Sequence, residues 1–197
     1  MKAYPKIVRL KDGSKATLRP MVKEDVQKLL AFFRKLPEED RLFLKDDVTD
    51  EKVIQRWADE LDYEKTFPIL AEVGDQIVAD ATLHTQERGW MRHIGEVRCV
   101  VAREYQRKGL GTILIREMFH RALQKRLHKL RAAMPETQVG AMKAFQTIGF
   151  KKEAVLKEHV VDLKGNKHDL VIMTNLVAEL WRKISDQLVE TGFSAEH

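Results

Sequence analysis

Gln106-Arg107-Lys108-Gly109-Leu110-Gly111 lies between an apolar run, Val97 to Val101, and an amphipathic stretch, Thr112 to Leu123. The run predicts a strand and the stretch predicts a helix. A strand, a glycine-bearing turn and a helix N-terminus together form an anion site, because free backbone N–H groups converge there and the helix dipole favours negative charge. Gly109 and Gly111 let the backbone approach a phosphate without a Cβ in the way. The stretch therefore predicts a phosphorylated cofactor.

Spacing narrows the choice. A Walker loop needs Gly-Lys-Ser/Thr at its end, and nothing after Gly111 supplies it. A Rossmann fingerprint needs a third glycine where Leu114 stands. What remains is Q/R-x-x-G-x-G between strand and helix, which resembles the coenzyme A pyrophosphate loop of the GNAT superfamily of N-acetyltransferases. A second stretch, Gln138-Val139-Gly140-Ala141 through Phe145 to Gly149-Phe150, resembles the N-x-x-A-x-x-x-Y-x-x-x-G-F pattern that ends the cofactor site of that superfamily. Two positions depart from it. Gln138 keeps the amide of the usual asparagine on a longer stem. Phe145 replaces the tyrosine that often protonates the leaving thiolate, and the Pat-like protein lysine acetyltransferases also lack that tyrosine.

The 197 residues fit one domain with an appended element. A charged fraction of 33% and a hydrophobic fraction of 44% describe an ordinary globular chain. No apolar run is long enough for a bilayer and no signal-peptide core is visible, so the sequence predicts a cytoplasmic protein without a membrane partner. The single cysteine, Cys99, agrees with a reducing compartment. The net charge of +5 fits a nucleic acid or an anionic cofactor equally. No basic stripe interleaved with aromatics supports nucleic acid. Arg121, Lys125, Arg126, Lys129 and Arg131 read either as a solvated face or as a patch for the adenosine phosphate. No H-E-x-x-H or paired ligand spacing points to a metal.

Along the chain, Asp12-Gly13 between two short apolar runs predicts a hairpin. Helices follow at about 23–36, 37–44 and from Thr49 or Asp50 to Leu61. Strands are predicted at 67–73, 77–84 and 95–101, a long helix at 110–127, a strand at 130–134, and a helix at 137–148 stopped by Gly149. A final hairpin spans 155–163 and 169–175. This order resembles a complete GNAT domain, assigned to residues 1–175. The implied fold is α+β, a mixed, mostly antiparallel central sheet flanked by helices. An amphipathic C-terminal helix and tail over 176–197 is added, with Val177, Leu180, Trp181, Ile184 and Leu188 as its stripe. That stripe packs either on its own domain or on a second copy in a homodimer.

Amine acetylation raises a proton problem. A lysine ammonium of pKa ~10.4 must lose a proton to a carboxylate of ~4.3, a mismatch on the order of 8 kcal/mol. Burial of the carboxylate and desolvation of the amine both narrow it. The base should be a carboxylate in a mostly apolar strand, and Glu96 fits. Alternation places Glu96, Arg98 and Val100 on one face and Val97, Cys99 and Val101 on the other. Glu96 reads either as that base, the role its spacing implies by resemblance to the Pat-like enzymes, or as an ion-pair partner of Arg98 or another basic residue.

By resemblance, the main chain of Cys99, Val100 and Val101 aligns the pantetheine arm and polarises the acetyl carbonyl. Gln106, Arg107, Lys108, Gly109, Leu110, Gly111 and Thr112 hold the pyrophosphate, and Gln138, Ala141 and Phe145 complete the cofactor site. Cys99 as a nucleophile lacks a nearby base and reads better as a small buried hydrophobe. His84, Glu87 and His93 lie near the predicted strand tips, within reach of a substrate.

The sequence thus predicts transfer from acetyl-CoA to a primary amine in a ternary complex. The acceptor is a protein lysine by resemblance, or a small amine such as a polyamine or amino acid. The missing tyrosine leaves a non-catalytic acyl-CoA sensor as a rival reading.

Overall fold

The structure, a computed structural model, describes residues 4–41, 44, 46–179 and 181. Eight strands form one sheet in the order β1-β2-β3-β4-β5-β6-β8-β7. β1 (Lys6–Arg9) and β2 (Lys15–Pro20) are joined at the expected Asp12-Gly13 turn, where Gly13 adopts φ +86°. A 3-10 turn at Lys23–Asp25 leads into α1 (Val26–Lys35), and α2 (Glu38–Arg41) and α3 (Glu51–Asp59) follow. Asp50 caps α3 by accepting from the Lys52 N–H at 2.9 Å.

β3 (Thr66–Val73), β4 (Gln76–His84) and β5 (Ile94–Val101) make an antiparallel meander. α4 (Leu110–Gln124), β6 (Lys129–Pro135) and α5 (Val139–Ile148) come next, and Gly149 ends α5 at φ +105°. β7 (Lys151–Val161) and β8 (Lys167–Leu176) close the chain as a hairpin. Its second strand inserts beside β6, so β7 becomes the edge. The predicted α+β sheet is present, with β5 and β6 as its parallel pair.

Each sheet face has its own core. One face, with Leu18, Ile69, Ala81, Leu83, Val97 and Met173, packs against α4 and α5 through Leu114, Met118, Phe119 and Phe145. The other face packs Leu70 and Ile77 against Leu29, Phe33 and Ile54 of α1 and α3. Val177 is buried in the first core and its N–H donates to the His128 carbonyl at 3.0 Å. The rest of the predicted C-terminal helix, apart from 178, 179 and the half-exposed Trp181, lies outside the described residues.

Candidate active site

β5 pairs with β6 only at its beginning, where Ile94, Gly95 and Glu96 face Lys129, Leu130 and Arg131. β5 then continues against β4 as far as Val101 opposite Ala79, while β6 continues against β8 as far as Pro135 opposite Leu170. Between them the two strands have no ladder, so the sheet opens like a V from Val97 onward. Gly95 sits at the closed end because nothing larger fits. A Cβ there would lie 2.8 Å from side-chain carbons of both Leu127 and Leu83. The β4–β5 register is regular, so Glu96, Arg98 and Val100 do share a face.

The phosphate loop lies at the open end of the V. A 3-10 turn, Arg103–Tyr105, leads to Gln106, whose side-chain amide donates to the Val101 carbonyl at 3.0 Å. Gln106 thus finishes the strand end. Arg107 and Gly109 both take positive φ, +59° and +87°. Gly109 is the N-cap of α4 and brings no side chain to satisfy the first-turn amides. The N–H groups of Leu110, Gly111 and Thr112 therefore have no helical acceptor. The Leu110 side chain is fully buried, so only its main chain is open to a ligand.

The β1–β2 turn also reaches this loop, which the sequence reading did not foresee. The Lys11 N–H donates to the Lys108 carbonyl at 3.0 Å, and the Lys11 stem passes 3.5 Å from where a Gly109 Cβ would stand. Asp12 meanwhile takes Lys108 in an ion pair at 2.9 Å. Hydrogen bonds from Ser14 and Lys108 hold the Asp12 carboxyl well below the ordinary range. No local signal in a hairpin so far upstream announces this contact.

The facing cofactor residues divide. Gln138 precedes α5 and its carbonyl accepts from the Met142 N–H at 3.1 Å. Ala141 is half-buried against the first core. Phe145 is 3% exposed and packs edge-on to Phe150 at 5.0 Å between ring centroids, so its ring belongs to the core. Cys99 likewise turns toward the first core, and burial pushes its thiol up to about 12. At neutral pH it carries no thiolate to act as a nucleophile.

On the opposite face, a polar row crosses the centre of the sheet. Asp80 stands opposite Val100, Thr82 opposite Arg98 and His84 opposite Glu96. α1 and α3 cover the Val100 end. The Glu96 end opens into a cavity of about 210 Å³ lined by His84, Met91, Ile94, Glu96, Arg98 and Arg131 among others. Glu96 accepts from Arg98 Nε at 3.1 Å and from Arg131 Nη2 at 3.2 Å. Its surroundings are thus polar and cationic, and differ in this from the mostly apolar setting expected from its strand. A wider hollow of about 620 Å³ follows the solvent-facing side of α3 and contains no motif residue.

Asp80 is the acid in the apolar setting. Burial pushes its carboxyl up to about 7, against the opposing pull of the Thr82 hydroxyl, 3.3 Å away, and of Arg98. The sequence signal was present, a lone acid in the alternating stretch from Ile77 to Leu83, but it passed unread. Four of the five basic residues between Arg121 and Arg131 are paired. Arg121 and Lys125 pair with Glu64, Lys129 with Glu153 and Arg131 with Glu96. Asp46, Asp47 and Asp50 are used by Arg56, Thr49 and the α3 cap. Among the described residues no helix is long and apolar enough to cross a membrane.

Known proteins share this fold. The GNAT domain of PAT from Streptomyces lividans is similar over 88% of this chain and 99% of its own, with 18% identity and a TM-score of 0.72. A ribosomal-protein-alanine N-acetyltransferase from Brucella melitensis is 22% identical over 81% of this chain and 98% of its own, at 0.70. The putative acetyltransferase yncA from Salmonella typhimurium, solved with its cofactor acetyl-CoA, is 19% identical over 83% and 95%, also at 0.70. The model of the acetyltransferase (GNAT) family matches residues 27–150, from α1 through the V and the phosphate loop to the end of the second motif. The chain belongs to that family and is an acetyl-CoA-dependent N-acetyltransferase.

Proposed function

We propose that the protein moves an acetyl group to a primary amine by direct attack in a ternary complex, with Glu96 receiving the amine proton directly or through a water. The observation that carries this reading is the V. It opens the edge of β5 between an uncapped helix N-terminus and a cavity holding a carboxylate.

The residues fit coenzyme A. The amides of Leu110, Gly111 and Thr112 and the glycine-lined turn suit a diphosphate, with the Lys11 ammonium stem alongside. The free edge of Cys99, Val100 and Val101 suits a pantetheine arm that bonds like a strand. Acetyl-CoA, when bound, supplies an activated thioester. This chain's residues then orient the amine and accept its proton. Phe145 has no proton to give and is buried, so the second proton transfer falls to water.

The resemblance of the Glu96 spacing to the Pat-like enzymes supports a protein lysine as acceptor. The small cavity favours a second reading, an amine on a small molecule. A test of the mechanism uses calorimetry and a coenzyme A release assay over an amine panel. Glu96→Gln should keep its affinity for acetyl-CoA and lose roughly 10²- to 10⁴-fold in turnover, the scale of general base catalysis. Near-native turnover would make Glu96 an ion-pair residue only. Tight binding of acetyl-CoA with no release on any amine would favour the acyl-CoA sensor.

A further inference from the structure

We infer that the acceptor carries a carboxylate close to its amine, and that Arg98 and Arg131 hold it in the cavity beside Glu96. The inference rests on the acetyltransferase reading above and adds the charge of the acceptor.

The charge count comes first. Two guanidiniums line the cavity against one carboxylate, Glu96. Glu96 engages Nε of Arg98 and Nη2 of Arg131. A guanidinium has five N–H donors in a planar fork that matches a carboxylate edge. Arg131 Nε is buried and has no hydrogen-bond partner among the described residues, which is an open demand for an acceptor.

The reaction sharpens the argument. When the amine proton reaches Glu96, that carboxylate becomes neutral and both arginines lose their counter-charge. A carboxylate on the acceptor keeps them paired through the step. The bond broken is N–H on the ammonium and the bond formed is O–H on Glu96, so the total charge is unchanged while the anion beside the two guanidiniums disappears. A polyamine would add further positive charge to this wall and is disfavoured. Met91 and Ile94 supply an apolar patch for the remainder of a small head group.

The test uses the full chain with acetyl-CoA and matched acceptors. One pair is free L-amino acids against their primary carboxamides. The other is lysine peptides with aspartate or asparagine beside the lysine, and spermidine serves as the polycation. Whichever pair is turned over should favour its carboxylate member about 10- to 100-fold in kcat/KM, and the pair that responds assigns the source. Arg98→Gln and Arg131→Gln should each remove most of that preference while still binding acetyl-CoA, and Arg131→Lys should keep part of it. A second arm needs no turnover. N-acetyl-L-amino acids and the acetylated aspartate peptide, titrated calorimetrically into the coenzyme A complex, should bind more tightly than their carboxamide or asparagine counterparts. Equal behaviour of acid and amide in both arms, a preference that survives both Gln variants, or spermidine as the best acceptor would overturn the inference. Failure to bind acetyl-CoA would instead overturn the acetyltransferase reading.

Discussion

Asp80 lies mid-strand with buried Ala79 and Ala81 on either side and Leu70 and Val100 across the sheet. Its carboxyl titrates near 7 because burial disfavours the charge. The folded value is raised above the unfolded one. Between about pH 4 and 7 the unfolded chain releases this proton while the folded chain keeps it, so stability falls as pH rises through that window. Below it the penalty is absent, and above it the penalty is constant. Asp80→Asn, a near-isostere of the neutral acid, should match the parent below about pH 4 in urea denaturation and exceed it by about 1–3 kcal/mol at pH 8. An equal difference at both pH values would assign the effect to packing. Glu96 shows where single residues stop being legible. Its strand, face and neighbour Arg98 were readable from alternation. Arg131 arrives from β6, 35 positions later, through a parallel pairing that local periodicity does not encode.

In the proposed mode of binding, the start of α4 is the element that holds the diphosphate. Gly111 has an ordinary backbone, and an added Cβ would meet Val101 Cγ2 at 3.6 Å, a normal contact. Gly111→Val should therefore fold, with a melting temperature close to the parent, yet lose at least tenfold in acetyl-CoA affinity by calorimetry as its methyls crowd the first-turn amides. Undiminished affinity would remove the diphosphate from this turn. This element was legible because glycine spacing, a strand before it and a helical period after it agree. β7 was less so. The sequence predicted a start at Val155, but the strand begins at Lys151, since Lys151 and Lys152 pair with Thr174 and Met173 of β8. Lys151, Lys152 and Glu153 are exposed on an edge strand, where charge guards against further pairing and masks the usual apolar signal. The docking of the β1–β2 turn on the phosphate loop was invisible for a similar reason, because it is a contact between two turns.

At the scale of the molecule, the layer of α1 and α3 must be tied to the sheet, and Arg19 does this. From β2 it grips Asp25, which leads into α1, with Nη1 and Nη2 at 2.7 and 2.6 Å, and Glu72 of β3 with Nε and Nη2 at 3.0 and 2.6 Å. Asp25 is 3% exposed and also accepts from the Val22 N–H at 2.8 Å. Burial alone would raise its pKa, but Arg19 and that N–H outweigh burial and hold it below the ordinary range; Arg19 lowers Glu72 in the same way. Both folded values are depressed, so their contribution is fully present above about pH 4 and is lost as pH falls through the folded values. Removing Arg19 would leave Asp25 as an unpaired buried charge. Arg19→Ala should cost about 3 kcal/mol at pH 7. Arg19→Met, which keeps the apolar stem, should recover little of it. The gap between either variant and the parent should narrow as pH falls below about 4 and through the depressed folded values, where the carboxyls take up protons. A gap that persists undiminished in acid, measured by denaturant titration, would show that Arg19 acts through its packing and not through its charge.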